Sequence, residues 1–499
     1  MHWCTGDFSK DGREEIMKEK HGKAIDLLPF KDSSDILVSE KKVRRDGNDI
    51  ELIYVYSPNM ADQNTLYKWI IPEVQRLLHF DGSLEADQFS DFINVSYPDR
   101  GMDIQRQAER RIFSGDIMIV TPHDQNVLFF SAGKLAKRSP EESNTEVSIR
   151  GPRDGFVEDI GDNMALIRHR LKTSSLKSLK MSIGRRSQTD VMLLYIDDII
   201  NPDILKDVKN RLESIDTDII VSSYELEEYL YDNTFSIIPL AQYVGRPDFV
   251  VESLNQGRFA ILVDGNPTCL IGPANLGLML NSPEDAHTSF FYVSIERLLR
   301  FIAFATTIFL PGFWVAITTH QLEQIPYPLL ATITVSRTGL PLSTGMELAL
   351  MLILFELFKE AGVRLPKAVG QTVAVLGGLI VGDAAIRGGF TSPTMLVVAA
   401  VTIISSYTLM NQSLTGNVLI LRFTNLFVSA LLGLYGFFLC GFIFLIALVS
   451  TESFGQPFMT IFAKPTIADY FKGYIKLPSS LTKKRNLGYS PIDQDRKEP

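Results

Sequence analysis

Three carboxylates, Glu347, Glu356 and Asp383, stand in a part of the chain that is otherwise nearly free of charge. From Phe301 to Val449 long apolar runs dominate, and an ionisable side chain in such a setting faces either a water-filled path or a partner group. Acidic groups around a path favour cations. The chemistry these residues offer is therefore the passage of a cation, not the making of bonds. Glu356 and Asp383 lie near the ends of their segments, where Lys359 and Arg387 could pair with them instead. Nine residues at about 100° each put Glu347 and Glu356 on opposite faces of one helix, so a single pore-facing surface cannot carry both. Gly377, Gly378, Gly382 and Pro311 are the helix-packing and gating candidates. The Gly378/Gly382 spacing suits close packing of helix backbones, a commoner use of such pairs than ion coordination.

These residues need membrane helices to hold them. The 301–319 stretch is uncharged and long enough for a bilayer core of about 30 Å, with Pro311 inside it. Further segments run over 340–358, 369–386 and 393–410. The 423–449 run is too long for one untilted crossing, and reads as a tilted helix or as a hairpin broken near Gly433, Gly436 or Gly441. Lys359, Arg364 and Lys367 between the second and third segments, and the basic residues after 460, place that loop and the tail on the cytoplasmic side. Both ends inside require an even number of crossings: four with one re-entrant run, or six with the last run split.

Residues 1–300 carry most of the charge and read as globular. An apolar strand, a polar turn and an amphipathic helix occur at 51–78 and again at 190–215, with Pro202 suited to a first helical turn. A second pair, Phe113-Ser114-Gly115 followed by a strand and Gln256-Gly257-Arg258 followed by a strand, shares the same offset of about 140 residues, the mark of an internal repeat. The expectation is an α/β soluble half of two duplicated subdomains followed by an all-α polytopic transmembrane bundle. The divisions are a charged segment 1–45, subdomains 46–136 and 155–288 joined by a linker 137–154, a membrane domain 289–452 with four to six segments, and a cytoplasmic tail 453–499.

Composition narrows the function. The net charge of −9 argues against nucleic-acid binding. Three scattered cysteines, Cys4, Cys269 and Cys440, form neither a disulfide framework nor a metal set. The seven histidines make no HExxH, and no GxGxxG, P-loop or GxSxG occurs, so no enzyme, metal or cofactor is expected. The acidic pairs Asp159/Asp162 and Asp197/Asp198 read as caps and turns. The charged start of the chain predicts no secretory leader, so the soluble half is expected in the cytoplasm.

The chain resembles the A subunits of the bacterial spore germinant receptors. The likeness spans about 46–480. It rests on Arg150-Gly151-Pro152, Arg246-Pro247-Asp248, Gly257-Arg258-Phe259, His320-Gln321, Glu356 through Arg364, Gly370-Gln371-Thr372, Leu421-Arg422-Phe423, Gly433 to Gly436 and Ser453-Phe454-Gly455, in that order. The resemblance implies a multi-pass protein of the spore inner membrane with its N-terminal half on the core side. It implies a transporter-like B subunit holding the nutrient pocket, a lipoprotein C subunit, and self-association into a ring that releases monovalent cations. Leu352 stands where members carry a second acid, Met410 where a proline is usual, and Leu419 where an arginine precedes Arg422. A non-conducting scaffold within the receptor, or a divergent paralogue acting as an ion channel without those partners, are the alternatives.

Overall fold

The computed structural model describes residues 28–45, 48–80, 84, 86–89, 93–99, 103–121, 126–133, 150–231, 236–365, 382–409, 411–459, 475–478, 480, 484–485 and 491–495. Its first half is built on two five-stranded sheets. The first joins β1 (Leu37–Arg45), β2 (Asn48–Tyr56), β3 (Val95–Ser96), β4 (Ile117–Thr121) and β5 (Asn126–Phe130) in the order β1-β2-β4-β5-β3. The second joins β6 (Leu176–Ile183), β7 (Thr189–Ile196), β8 (Gln242–Val244), β9 (Phe259–Val263) and β10 (Cys269–Gly272) as β6-β7-β9-β10-β8. The second order is the first counted from its own first strand, so one topology occurs twice. Every pairing within the two sheets is antiparallel. The helices therefore cover the sheets rather than cross between parallel strands, which refines the α/β expectation.

Both faces of the central strands are buried, which is why they read as nearly continuous apolar runs. In the first sheet Leu52, Tyr54 and Tyr56 pack on α1 (Ile71–Phe80), and the alternate Ile53 and Val55 pack with Ala108 and Ile112 of α2 (Ile104–Ile112). In the second, Leu194 and Ile196 face α3 (Ile160–Arg170), while Val191 and Leu193 face α4 (Pro202–Ser214) and α5 (Ser223–Leu230). Asp159 caps α3 by accepting from Gly161 N at 2.8 Å, and Asn201 caps α4 ahead of Pro202. The helices α2 and α6 (Pro247–Leu254) each stop short of a glycine at positive φ, Gly115 at 99° and Gly257 at 90°.

Strand β1 lies within the 1–45 stretch expected to be outside the subdomains, so the first sheet begins at Leu37. Its sequence, LVSEKKVRR, hid it: an edge strand tolerates charge on its open side, and Lys42 pairs with Glu51 of β2 at 3.0 Å. Just before β1 lies the fastener between subdomains. Asp35 accepts from Arg168 of α3 at 2.7 and 2.9 Å, and Arg168 also donates to the Thr173 and Leu176 carbonyls. The guanidinium lies 4.2 Å over the ring of Phe113. Both charged groups are buried.

The helical half begins with α7 (Phe290–His320), which leaves the second sheet and runs to a far end. There α8 (Tyr327–Ser336) follows, and α9 (Thr344–Arg364) returns. The short α10 (Gly382–Arg387) and α11 (Pro393–Tyr407) precede α12 (Gln412–Ser450). At Gly433, with φ 63° and ψ −144°, α12 breaks into two arms. The first arm ascends beside α7: Asn425 meets the Ile308 carbonyl and Ala430 meets His320. The second descends: Phe437 packs on Phe313, and Phe444 on Phe304. Of the two readings of this run, the structure shows the hairpin, at the first of the three glycines. His320 Nε2 lies 3.0 Å from the Ala430 carbonyl, and Gln321 Oε1 accepts from Leu434 N at 3.4 Å. Adjacent side chains thus secure the end of one arm and the start of the other.

The chain then returns to the second sheet. Ser453 donates to the Leu240 carbonyl at 2.7 Å and accepts from Ala274 N, while Phe454 packs edge-on against Phe259 of β9. One core runs from Leu194 and Leu262 through Leu276 to Phe304, Leu414 and Leu448.

Two outcomes test this account. Gly433→Ala forces a side chain into a backbone region open almost only to glycine and places a Cβ 2.9 Å from His320 Cβ. The substitution should cost about 1–3 kcal/mol in thermal melts of the detergent-solubilised chain, and an unchanged melt would refute the break. Arg168→Met strands a buried carboxylate and should cost about 3–5 kcal/mol. Burial pushes the Asp35 carboxyl up, but the charge and hydrogen bonds of Arg168, Ser33 and Ser178 outweigh it and hold it below its ordinary value of 3.8. Its stabilisation is therefore complete above that value and is lost as pH falls through the lower folded one. The gap in melting temperature between wild type and Asp35→Asn should narrow in acid; a gap independent of pH would contradict the pairing.

Candidate ion-path residues in the helical half

Glu347 lies in the first turn of α9, at the far end of the bundle, and is wholly buried. Its Oε1 accepts from Ser392 N at 2.5 Å, Ser392 Oγ at 2.8 Å and Thr391 Oγ1 at 3.2 Å. Ser392 is also the N-cap of α11, ahead of Pro393, so the carboxylate sits on a helix start whose free N–H groups favour negative charge. Among the described residues its Oε2 receives no hydrogen bond, and Arg337 Nε lies 3.6 Å from it. Within one chain, then, Glu347 does not open onto solvent.

Glu356 lies further along α9, nearer the sheets. It pairs with Lys359 at 3.1 Å and with Arg422 of the first arm of α12 at 3.3 Å. Arg422 is nearly fully buried, whereas the Glu356 side chain keeps partial contact with solvent. Asp383 pairs with Arg387 at 2.9 Å, and both are well exposed. The local pairs anticipated for these two acids are present. The two glutamates on opposite faces of α9 reach different neighbours, α11 and α12, and the structure does not bring the three acids together.

Pro311 is buried inside α7. It removes one intrahelical N–H, and in the same turn Asn425 Nδ2 reaches the Ile308 carbonyl at 3.4 Å. A side chain on Gly312 would collide with Asn425 and Ser429, so this glycine allows the first arm of α12 to approach. Gly382 packs against Leu396 of α11. Gly377 and Gly378 lie outside the described residues, as does Met410. Leu352 is completely buried among Val315, Leu348 and Leu426. Cys269 and Cys440 are free thiols, and Cys4 lies outside the described residues.

Sequence reasoning missed Arg337, Thr391, Ser392 and Asn425, and it quoted Arg422 without its partner. Only Ser392-Pro393 carried a readable signal, a cap residue before a first-turn proline. The others matter through contacts distant in sequence.

The first half is thus a duplicated two-sheet module, and it carries a helical bundle that departs from the second sheet, holds paired acids inside and comes back to the same sheet. Over residues 28–487 the sequence matches the family described as Bacillus/Clostridium GerA spore germination protein, and the chain belongs to that family. It is 38% identical to spore germination protein XA of Bacillus anthracis, over 94% of this chain and 95% of the relative. It is 33% identical to spore germination protein KA of Bacillus subtilis, over 93% and 85%. A crystal structure of the N-terminal domain of the A subunit of the Bacillus megaterium spore germinant receptor GerK3 aligns at 26% identity with a TM-score of 0.35. That alignment covers 50% of this chain and 91% of the other.

The two kinds of acid pair should respond differently to neutralisation. Glu356→Gln leaves the buried Arg422 uncompensated and should cost about 3–5 kcal/mol of stability. Asp383→Asn breaks an exposed pair and should cost under about 1 kcal/mol. Thermal melts of the two full-length variants decide this, and equal losses would contradict the placement of Arg422.

Proposed function

We propose that this chain is the membrane-embedded A-type subunit of a nutrient-responsive spore germination receptor, and that assembled copies provide a path for monovalent cations. The observation that carries the membrane reading is the return of the chain. The segment α7 and the hairpin α12 are long and apolar enough to enter a bilayer, and both ends of the helical region meet the second sheet. α7 runs out, α9 and α11 run back, and the arms of α12 run out and back. With both ends of the helical region at the sheets, the reading takes an even number of crossings, four or six. Lys359 and Arg364 at the returning end of α9 support a cytoplasmic, core-side position for the sheets. The rest of the reading is what the resemblance to receptor A subunits implies: a ring of copies in the spore inner membrane, with a transporter-like B subunit and a lipoprotein C subunit as partners.

The cation path rests on carboxylates inside an apolar bundle. A second reading, a non-conducting subunit that couples partners to another channel, is favoured by the complete burial of Glu347 in a single chain. The chain reconstituted in liposomes, with a loosening substitution at Gly378 to open it, separates the two. Conduction predicts a rubidium flux that Glu347→Gln lowers severalfold while the protein stays abundant in the vesicles. Absence of flux from the opened chain would favour the coupling reading, and undiminished flux in Glu347→Gln would remove that residue from the path.

A further inference from the structure

We propose that α8 is a lid whose Arg337 acts as a tethered counter-ion on Glu347, and that withdrawal of Arg337 exposes a binding site for a monovalent cation. The proposal deepens the conducting reading above and rests on it for its functional meaning. Two buried polar atoms face each other here, Glu347 Oε2 and Arg337 Nε, and neither has a hydrogen-bond partner among the described residues. They stand 3.6 Å apart, too far for a directed hydrogen bond, so charge alone holds them. The other carboxylate oxygen is fully engaged by Thr391 and Ser392. Oε2 is thus an open acceptor on a rigidly held carboxylate whose other oxygen carries the hydroxyls of Thr391 and Ser392. A hard monovalent cation seeks such a set of oxygens.

Arg337 is placed to leave. It is the C-cap residue of α8, its side chain is 22% exposed, and its other contact is a hydrogen bond to Thr344 Oγ1. Ile333 is the only residue of α8 that is buried, while Tyr327 and Val335 are 81% and 75% exposed. Gly339 follows at φ 89° with open space around it, so the turn into α9 has room to adjust. A lid seated by one buried apolar side chain, one hydrogen bond to Thr344 and one long ion pair differs from the other long helices of the bundle, each of which buries several residues. Swinging α8 outward removes the positive charge from Glu347 without disturbing the Ser392 cap that holds the carboxylate. A potassium-sized cation then replaces the guanidinium charge for charge.

The test uses the full-length chain in two settings. In detergent, Arg337→Met keeps the apolar stem and deletes the charge. Its Tm should rise with potassium chloride above its value in equimolar N-methylglucamine chloride, the wild type should show no such difference, and adding Glu347→Gln should abolish it. In liposomes, Arg337→Met should raise rubidium leak severalfold over wild type, Arg337→Lys should stay at the wild-type level, and Glu347→Gln should cancel the increase. A potassium-independent Tm in Arg337→Met overturns the proposal whatever the flux. Potassium-dependent stability with no flux from any variant keeps the cation site and removes the conducting reading. Flux from the chain opened at Gly378, together with wild-type leak from Arg337→Met in the unopened chain, removes the lid role and leaves conduction standing.

Discussion

A charge taken out of water must meet an opposite charge or a full set of hydrogen bonds, since an uncompensated buried ion costs several kcal/mol. That constraint ties this chain together. Its buried arginines reach across between segments that would otherwise be independent. Arg168 joins the second subdomain to the strand that opens the first. Arg246 joins the start of α6 to Glu284, just before α7, and Arg300 on α7 reaches Asp285 of the same turn. Lys476 of the tail donates to the Asp285 carbonyl, so linker, sheet, first long helix and tail converge at one place. In the bundle Arg422 plays the same part between α12 and α9. Arg168 and Arg246 are each held by several bonds, and among the buried carboxylates described the exception is Glu347, whose Oε2 lacks a hydrogen-bond partner and faces Arg337 at 3.6 Å.

The exception is intelligible from the energetics of paired burial. A guanidinium that fully satisfies a carboxylate is difficult to remove, because both groups must be desolvated and orphaned in the process. Arg168 holds Asp35 in this way and suits a permanent joint. A pair held by charge alone, with one partner on a sparsely buried helix, has a smaller barrier between its engaged and disengaged states. A subunit that must answer a signal needs at least one element of this second kind inside a scaffold made of the first.

Much of the fold was legible because it depends on local rules. The duplication showed as two strand–helix pairs at one offset, the stops at Gly115 and Gly257 as glycines after amphipathic runs, and Pro202 and Asp159 as helix starts. The hairpin in α12 was one of two readings, and length alone could not choose between them: the choice is made by His320 and Gln321, more than a hundred residues earlier in the chain. Strand β1 was missed since an edge strand rich in lysine lacks the apolar alternation of a central one. For the acids, Lys359 and Arg387 were found as neighbours one helical turn away. Arg422, 66 residues from Glu356, could be seen only in the fold. Glu347 was read as a candidate for a hydrated path with a partner group as the alternative, and the groups that surround it depend on how α8 and α11 meet α9.

The two glutamates of α9 show how the bundle can relate its ends. They lie on opposite faces, and each is engaged by a different helix: Glu356 by the first arm of α12 nearer the sheets, Glu347 by the start of α11 at the far end. A helix whose backbone bonds are intact behaves as a stiff rod over this length, so turning α9 at one end turns it at the other. A rotation that lengthens the Glu356–Arg422 contact also shifts Glu347 relative to Ser392 and Arg337. Arg422 is buried against α12, and the second arm of α12 leads straight into the Ser453 and Phe454 contacts on the second sheet. The sheets are therefore linked to the far-end carboxylate through two packed helices, with charge pairs and hydrogen bonds as the contacts between them.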